Sequence, residues 1–119
     1  MKIAYRLWIE KDGTPVFGKG VQTLLELVDK AGSLHKAAEE LSMSYRAAWG
    51  RIREYEKRLG IILIEKGRQG RTGAKLTPEG RKLMGDFAAV ENKFNELANL
   101  SEFKDLFSPA PKPNRIPLE

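Results

Sequence analysis

Residues 33–80 read SLHKAAEELSMSYRAAWGRIREYEKRLGIILIEKGRQGRTGAKLTPEG. Ser33 is a hydroxyl N-cap for a short helix whose inner face, Ala37, Ala38 and Leu41, is small enough for a neighbour to approach closely. The chain turns across Ser42-Met43-Ser44, and Ser44 caps a second helix. There Ala48, Ile52, Tyr55 and Leu59 recur at spacings of four, three and four, and Gly60 stops the helix. Ile61 to Glu65 is an apolar run suited to a buried strand. Lys66 to Lys75 carries three glycines and no apolar side chain larger than alanine, so it is expected to be a mobile loop ending in a short return strand. Thr77-Pro78-Glu79 then starts another helix, with a hydroxyl cap, a proline where its missing N–H costs nothing, and a carboxylate at the positive end of the dipole. Helix, turn, helix, strand, glycine-rich loop, strand and helix cap is the order of a winged helix-turn-helix.

Upstream, Lys2 to Lys11 alternates, with Ile3, Tyr5, Leu7 and Ile9 on one side and Ala4, Arg6, Trp8 and Glu10 on the other. Period two predicts a half-buried strand. Asp12-Gly13 supplies a turn, and Thr14 to Phe17 returns as a shorter strand, which together make an N-terminal β-hairpin. Val21, Leu24, Leu25 and Val28 mark an amphipathic scaffold helix closed at Ala31-Gly32. Downstream, Leu83, Phe87, Val90, Phe94 and Leu97 form a seam of period 3.5 that predicts helix pairing. It lasts barely two heptads, so the same stripe would also serve for packing on its own domain. The expected architecture is mainly α with a small β-sheet and a long C-terminal dimerisation helix. Residues 1–100 form the winged helix-turn-helix domain and 101–119 a tail, proline-rich from residue 108 with four prolines in its last twelve residues.

Charge is concentrated in the same unit. The whole chain has 21 Lys+Arg and 16 Asp+Glu, a net +5. Residues 44–75 hold nine basic and three acidic side chains, a local +6 that leaves −1 for the rest. A basic excess confined to one structural unit is the footprint of a polyphosphate partner; the bland alternative is a solvated charged face. With Ala48 centred on the core, Arg46, Gly50, Arg53 and Lys57 fall within about 40° of the opposite pole, with Trp49 at the flank. Glycine in a helix interior costs roughly 1 kcal/mol relative to alanine, and Gly50 on the outward face is easiest to rationalise if another surface comes close. Ser44 and the first-turn N–H groups can bind a phosphate, and Arg46 and Arg53 have the planar fork that reads guanine. Tyr45 and Trp49 either contact thymine methyls or sugars, or pack inward, Trp49 beneath the wing and Tyr45 over the core. Arg68 and Arg71 sit where a wing reaches the minor groove or adjacent phosphates, with Lys75 closing the loop.

Other chemistry is poorly supplied. There are no cysteines and one histidine, His35, so no disulfide, thiolate metal site, cysteine nucleophile or His-based triad can be assembled. The carboxylate pairs Glu39-Glu40 and Glu54-Glu56 are expected on exposed helical surface, with no concave site for acid–base work. The wing lacks the glycine-lysine-Ser/Thr ending of a phosphate-cleaving loop. No enzyme activity, cofactor or metal is expected. No apolar run approaches a signal peptide or the ~20 residues of a membrane span, so a cytoplasmic protein without a membrane partner is expected.

The string Ser44-Tyr45-Arg46-x-Ala48-Trp49, Leu59-Gly60, the glycine-rich wing and Leu76-Thr77-Pro78-x-Gly80 closely resemble the N-terminal DNA-binding domain of the molybdate-responsive ModE-type regulators, and more distantly the LysR-type domain. The likeness extends over roughly Lys2 to Leu100. It implies a bacterial or archaeal, homodimeric transcription regulator that binds double-stranded DNA in a sequence-specific manner, with Ser44, Tyr45, Arg46, Trp49 and Arg53 at recognition-helix positions. Because the sequence runs into a proline-rich tail where such regulators continue into oxyanion-binding domains, molybdate binding is not expected. The rival expectation is an adaptor or antagonist that heterodimerises with a full-length regulator.

Overall fold

The computed structural model describes residues 1–66 and 73–109. Its elements are β1 (Trp8–Lys11), β2 (Thr14–Gly18), α1 (Lys19–Ala31), α2 (Leu34–Glu40), α3 (Tyr45–Leu59), β3 (Ile64–Lys66), β4 (Ala74–Leu76) and α4 (Pro78–Ala98), followed by a 3-10 turn at Ser101–Phe103. The fold is a winged helix-turn-helix, mainly helical with two small antiparallel sheets, β1-β2 and β3-β4.

The core forms where α1, α2 and α3 meet. Val21, Leu24, Leu25 and Val28 of α1, Leu34, Ala37 and Ala38 of α2, and Ala48 and Ile52 of α3 are buried together with Leu63, Ile64, Leu76 and Phe87. Each helix has the end its sequence specifies. Ser33 Oγ accepts from Lys36 N, Ser44 Oγ from Ala47 N and Thr77 Oγ1 from Gly80 N, each satisfying an N–H that the helix itself leaves unpaired. Gly32 and Gly60 close α1 and α3 in the left-handed region, at φ 67° and 74°. Between α2 and α3, Ser42 takes φ 55° and Met43 N donates to Ala38 O at 2.9 Å, which turns the chain within three residues.

The hairpin is shorter than the alternation implied. Asp12 and Gly13 both have positive φ, the turn geometry that matches the twist of two antiparallel strands. Pairing, however, covers only Trp8–Lys11 against Thr14–Gly18, with an irregularity between Ile9 and Glu10. Because α1 begins at Lys19, residues 2–7 have no strand to pair with. They run instead beside α4, where the Tyr5 hydroxyl donates to Glu91 O at 3.3 Å and the Tyr5 and Phe94 rings lie 6.1 Å apart.

β3 likewise starts three residues later than the apolar run. Ile62 is exposed, and only Leu63 and Ile64 of that run are buried. Ile64 pairs with Leu76, Glu65 with Lys75 and Lys66 with Ala74. Ala74 N also donates to Gly32 O at 3.0 Å, tying the root of the wing to the α1–α2 junction.

The α4 seam divides. Phe87 is 2% exposed and meets Phe17 edge to face at 5.2 Å, and Leu83 is half-buried against the same core. Phe87 is therefore a core residue of its own chain and unavailable to a partner, which corrects its assignment to a dimer seam. Val90, Phe94 and Leu97 remain 45%, 43% and 48% exposed. The inner turns of α4 pack on α1 while the outer turns extend past it, so one heptad pattern serves two environments.

Candidate nucleic-acid interface

α3 presents its outer face because Ala48 and Ile52 pull the opposite side into the core. Arg46, Gly50, Arg53 and Lys57 are all exposed, as the helical spacing requires. Two arginines near this face are committed to the fold. Arg58 donates to Pro15 O at 3.0 Å and to Glu54 at 3.3 Å and lies 4.9 Å from the Tyr55 ring centroid, so it clips the hairpin to α3. Arg81 binds Asp29 at 2.8 Å across α4 and α1. Among the described residues, Arg46 and Lys57 make no ion pair, and their charge faces outward.

The N-terminal half of the face is aromatic. His35 of α2 stacks on Tyr45 at 5.5 Å, Tyr45 meets Trp49 edge-on at 6.3 Å, and the Arg53 guanidinium lies 4.4 Å from the Trp49 ring centroid. Tyr45, Trp49 and Arg53 are four residues apart, so they form one ladder up the helix. Tyr45 is 37% exposed rather than folded over the core, whereas Trp49 is half-buried, packed against the core and covered by Arg53. Ser44 Oγ accepts from Ala47 N at 3.0 Å, which leaves its O–H to donate outward. Lys75 lies opposite Glu65 with 3.6 Å between charges, an exposed pair of little energetic consequence. Arg68 and Arg71 lie outside the described residues.

One functional neighbour departs from the sequence reading. Glu56, expected on the surface, is 5% exposed. Its Oε2 accepts from Leu63 N at 2.7 Å and Ile64 N at 3.3 Å, and its Oε1 accepts from Arg53 at 2.7 Å. Three donors make burial of a carboxylate tolerable. On the helical wheel Glu56 sits at the flank of the core stripe, where periodicity does not decide burial. The usable signal was the pair of N–H groups at Leu63 and Ile64, which need an acceptor before the strand ladder begins.

Residues 21–81 match the lysR family of bacterial regulatory helix-turn-helix proteins, a match that spans α1 through the first turn of α4. The chain belongs to this family. Its members are regulators, not enzymes, and the matched LysR-type segment contains the helix-turn-helix, the wing strands and the whole outer face of α3. The chain is also 32% identical over 98 residues to the molybdenum-pterin-binding protein MopB of Rhodobacter capsulatus, covering 81% of this chain and 35% of that protein. It is 34% identical over 83 residues to the molybdenum transport protein ModE of Azotobacter vinelandii, covering 66% and 30%. It thus spans about a third of the length of these relatives. Among solved structures, the BenM DNA-binding domain in complex with catB site 1 DNA superposes with a TM-score of 0.56 at 21% identity, over 75% of this chain and 94% of that one. The CbnR DNA-binding domain in its DNA complex gives 0.53 at 22% identity, over 64% and 84%. Identity this low speaks for the LysR-type fold alone. No helix among the described residues is long and apolar enough to cross a membrane.

Proposed function

We propose that this LysR-type chain binds double-stranded DNA in a sequence-specific manner as a homodimer and regulates transcription in the bacterial cytoplasm. The observation that carries the reading is the outer face of α3, where Arg46 and Lys57 are exposed without ion-pair partners among the described residues while Arg58 and Arg81 are used internally. Cations kept out of the fold's own ion pairs are available to phosphates and base edges. In this reading Ser44, Tyr45, Arg46, Trp49, Arg53 and Lys57 enter the major groove, and Arg68, Arg71 and Lys75 of the wing grip the flank. The domain runs from residue 1 to about residue 100. Val90, Phe94 and Leu97, joined by half-buried Leu83 at the edge, pair the α4 helices of two copies, which sets two reading helices about 34–36 Å apart on successive grooves.

The molybdenum chemistry in the names of those relatives is not part of this proposal. The segment shared with the molybdenum-named relatives is the one that carries the helix-turn-helix, about a third of their length.

The test is a salt titration of binding to the preferred duplex, found by selection from randomised oligonucleotides, and to a scrambled duplex. A sequence-preferring complex of a dimer is expected, with log affinity falling linearly as log salt rises. A folded protein that shows neither preference nor salt dependence would overturn the reading in favour of a protein-binding adaptor.

A further inference from the structure

We propose that Glu56 is a positioning residue for base recognition, because it holds Arg53 over the Trp49 ring and ties that arginine to the root of the wing. This inference rests on α3 being the reading element. The Arg53 guanidinium is restrained in two independent ways: its Cζ lies 4.4 Å from the Trp49 ring centroid, over the ring, and its Nη1 donates to Glu56 Oε1 at 2.7 Å. The arginine side chain is still 56% exposed while that of Glu56 is 4% exposed, so one end of the pair is anchored in the fold and the other faces solvent. One of five guanidinium N–H donors is used by Glu56; four remain for a base or phosphate.

Glu56 has two separate duties. Oε2 takes the N–H groups of Leu63 and Ile64, immediately before and at the first residue of β3, and Oε1 takes Arg53. Strand anchoring needs one neutral acceptor, which a glutamine would supply. Orienting a guanidinium needs the second oxygen and the negative charge. Because a long side chain otherwise loses rotamer freedom on binding, holding Arg53 in place beforehand is expected to favour the complex by about two- to tenfold. The same restraint sharpens discrimination, since a fixed planar fork meets the paired acceptors of guanine at one angle only.

A double-mutant cycle on the ratio of affinities for preferred and scrambled duplexes tests this, with circular dichroism on each variant. Arg53→Ala is expected to lower the ratio at least about fivefold. Glu56→Gln, which keeps an acceptor for the strand, is expected to lower it about threefold or more, and to have no further effect in the Arg53→Ala protein. Arg53→Lys provides a variant independent of the buried site: it should keep the salt dependence yet lose discrimination as Arg53→Ala does, because an ammonium has no planar fork. A Glu56→Gln effect of equal size with and without Arg53 means the carboxylate acts only through the fold, and overturns the proposal. So does an Arg53→Lys protein with an unchanged ratio. An unchanged ratio for Arg53→Ala itself removes Arg53 from the reading face, and this inference goes with it.

Discussion

Gly50→Ala separates what the fold wants from what a DNA-reading face requires. Gly50 lies in the interior of α3 on the outward side, and a Cβ built there meets nothing within 4 Å. In the free protein the substitution therefore removes only the backbone-entropy penalty of glycine, a stabilisation of about 0.5–1 kcal/mol. For a domain of this size that raises the melting temperature by roughly 2–8 °C. Gly85, exposed in α4 and equally free of neighbours, is the internal control with the same expected gain. The two should part on DNA. If the duplex comes close enough to α3 for a methyl group to matter, Gly50→Ala must shift the helix outward and weaken several contacts together, at a cost of about 1–3 kcal/mol, or roughly 5- to 150-fold in affinity. Gly85→Ala should bind as the parent does. Thermal melts and fluorescence anisotropy on one labelled duplex give both quantities. A stabilised Gly50→Ala protein with parental affinity would show that no surface approaches α3 there, and the reason for a glycine at that position would have to be sought elsewhere.

Further expectations follow from the packing. Gly80→Ala should have the opposite sign, losing about 1–3 kcal/mol in urea unfolding, because its Cβ would collide with the Leu63 carbonyl oxygen that also receives Thr77 N. Val90→Glu and Phe94→Glu, at half-exposed positions, should leave the fold intact but give a monomer in sedimentation with much weaker DNA binding. A dimer that survives both changes would place the interface on another surface. Arg68→Ala and Arg71→Ala should each reduce the slope of log affinity against log salt by about one and leave sequence preference unchanged.

Local chemistry was readable where one residue type has one physical use. Ser33, Ser44 and Thr77 cap the helices they were expected to cap, and Gly32 and Gly60 take the left-handed conformation that ends α1 and α3. The outward placement of Arg46, Gly50, Arg53 and Lys57 follows from periodicity alone. Features decided by tertiary competition were not legible. Alternation at residues 2–7 is compatible with a strand, but a strand needs a partner, and β2 is too short to provide one. The heptad spacing of Leu83 to Leu97 does not say which turns of α4 lie over α1, so Phe87 in the core and Phe94 at the surface look alike in sequence. Glu56 was misread because a carboxylate on a helix is usually solvated. Its burial depends on two strand N–H groups seven and eight residues downstream, a demand that helical periodicity does not register.

The central claim is that the outer face of α3 reads base sequence, and Arg46 tests it most directly, since this side chain is exposed and makes no ion pair among the described residues. The decisive measurement is the ratio of affinities for the preferred and the scrambled duplex, for the parent protein and Arg46→Ala at one fixed salt concentration. The account predicts that the ratio falls by roughly 5- to 150-fold, equivalent to about 1–3 kcal/mol, and that preference relaxes at one position of the site, while the melting temperature is unchanged. A folded Arg46→Ala protein that discriminates as well as the parent would contradict it.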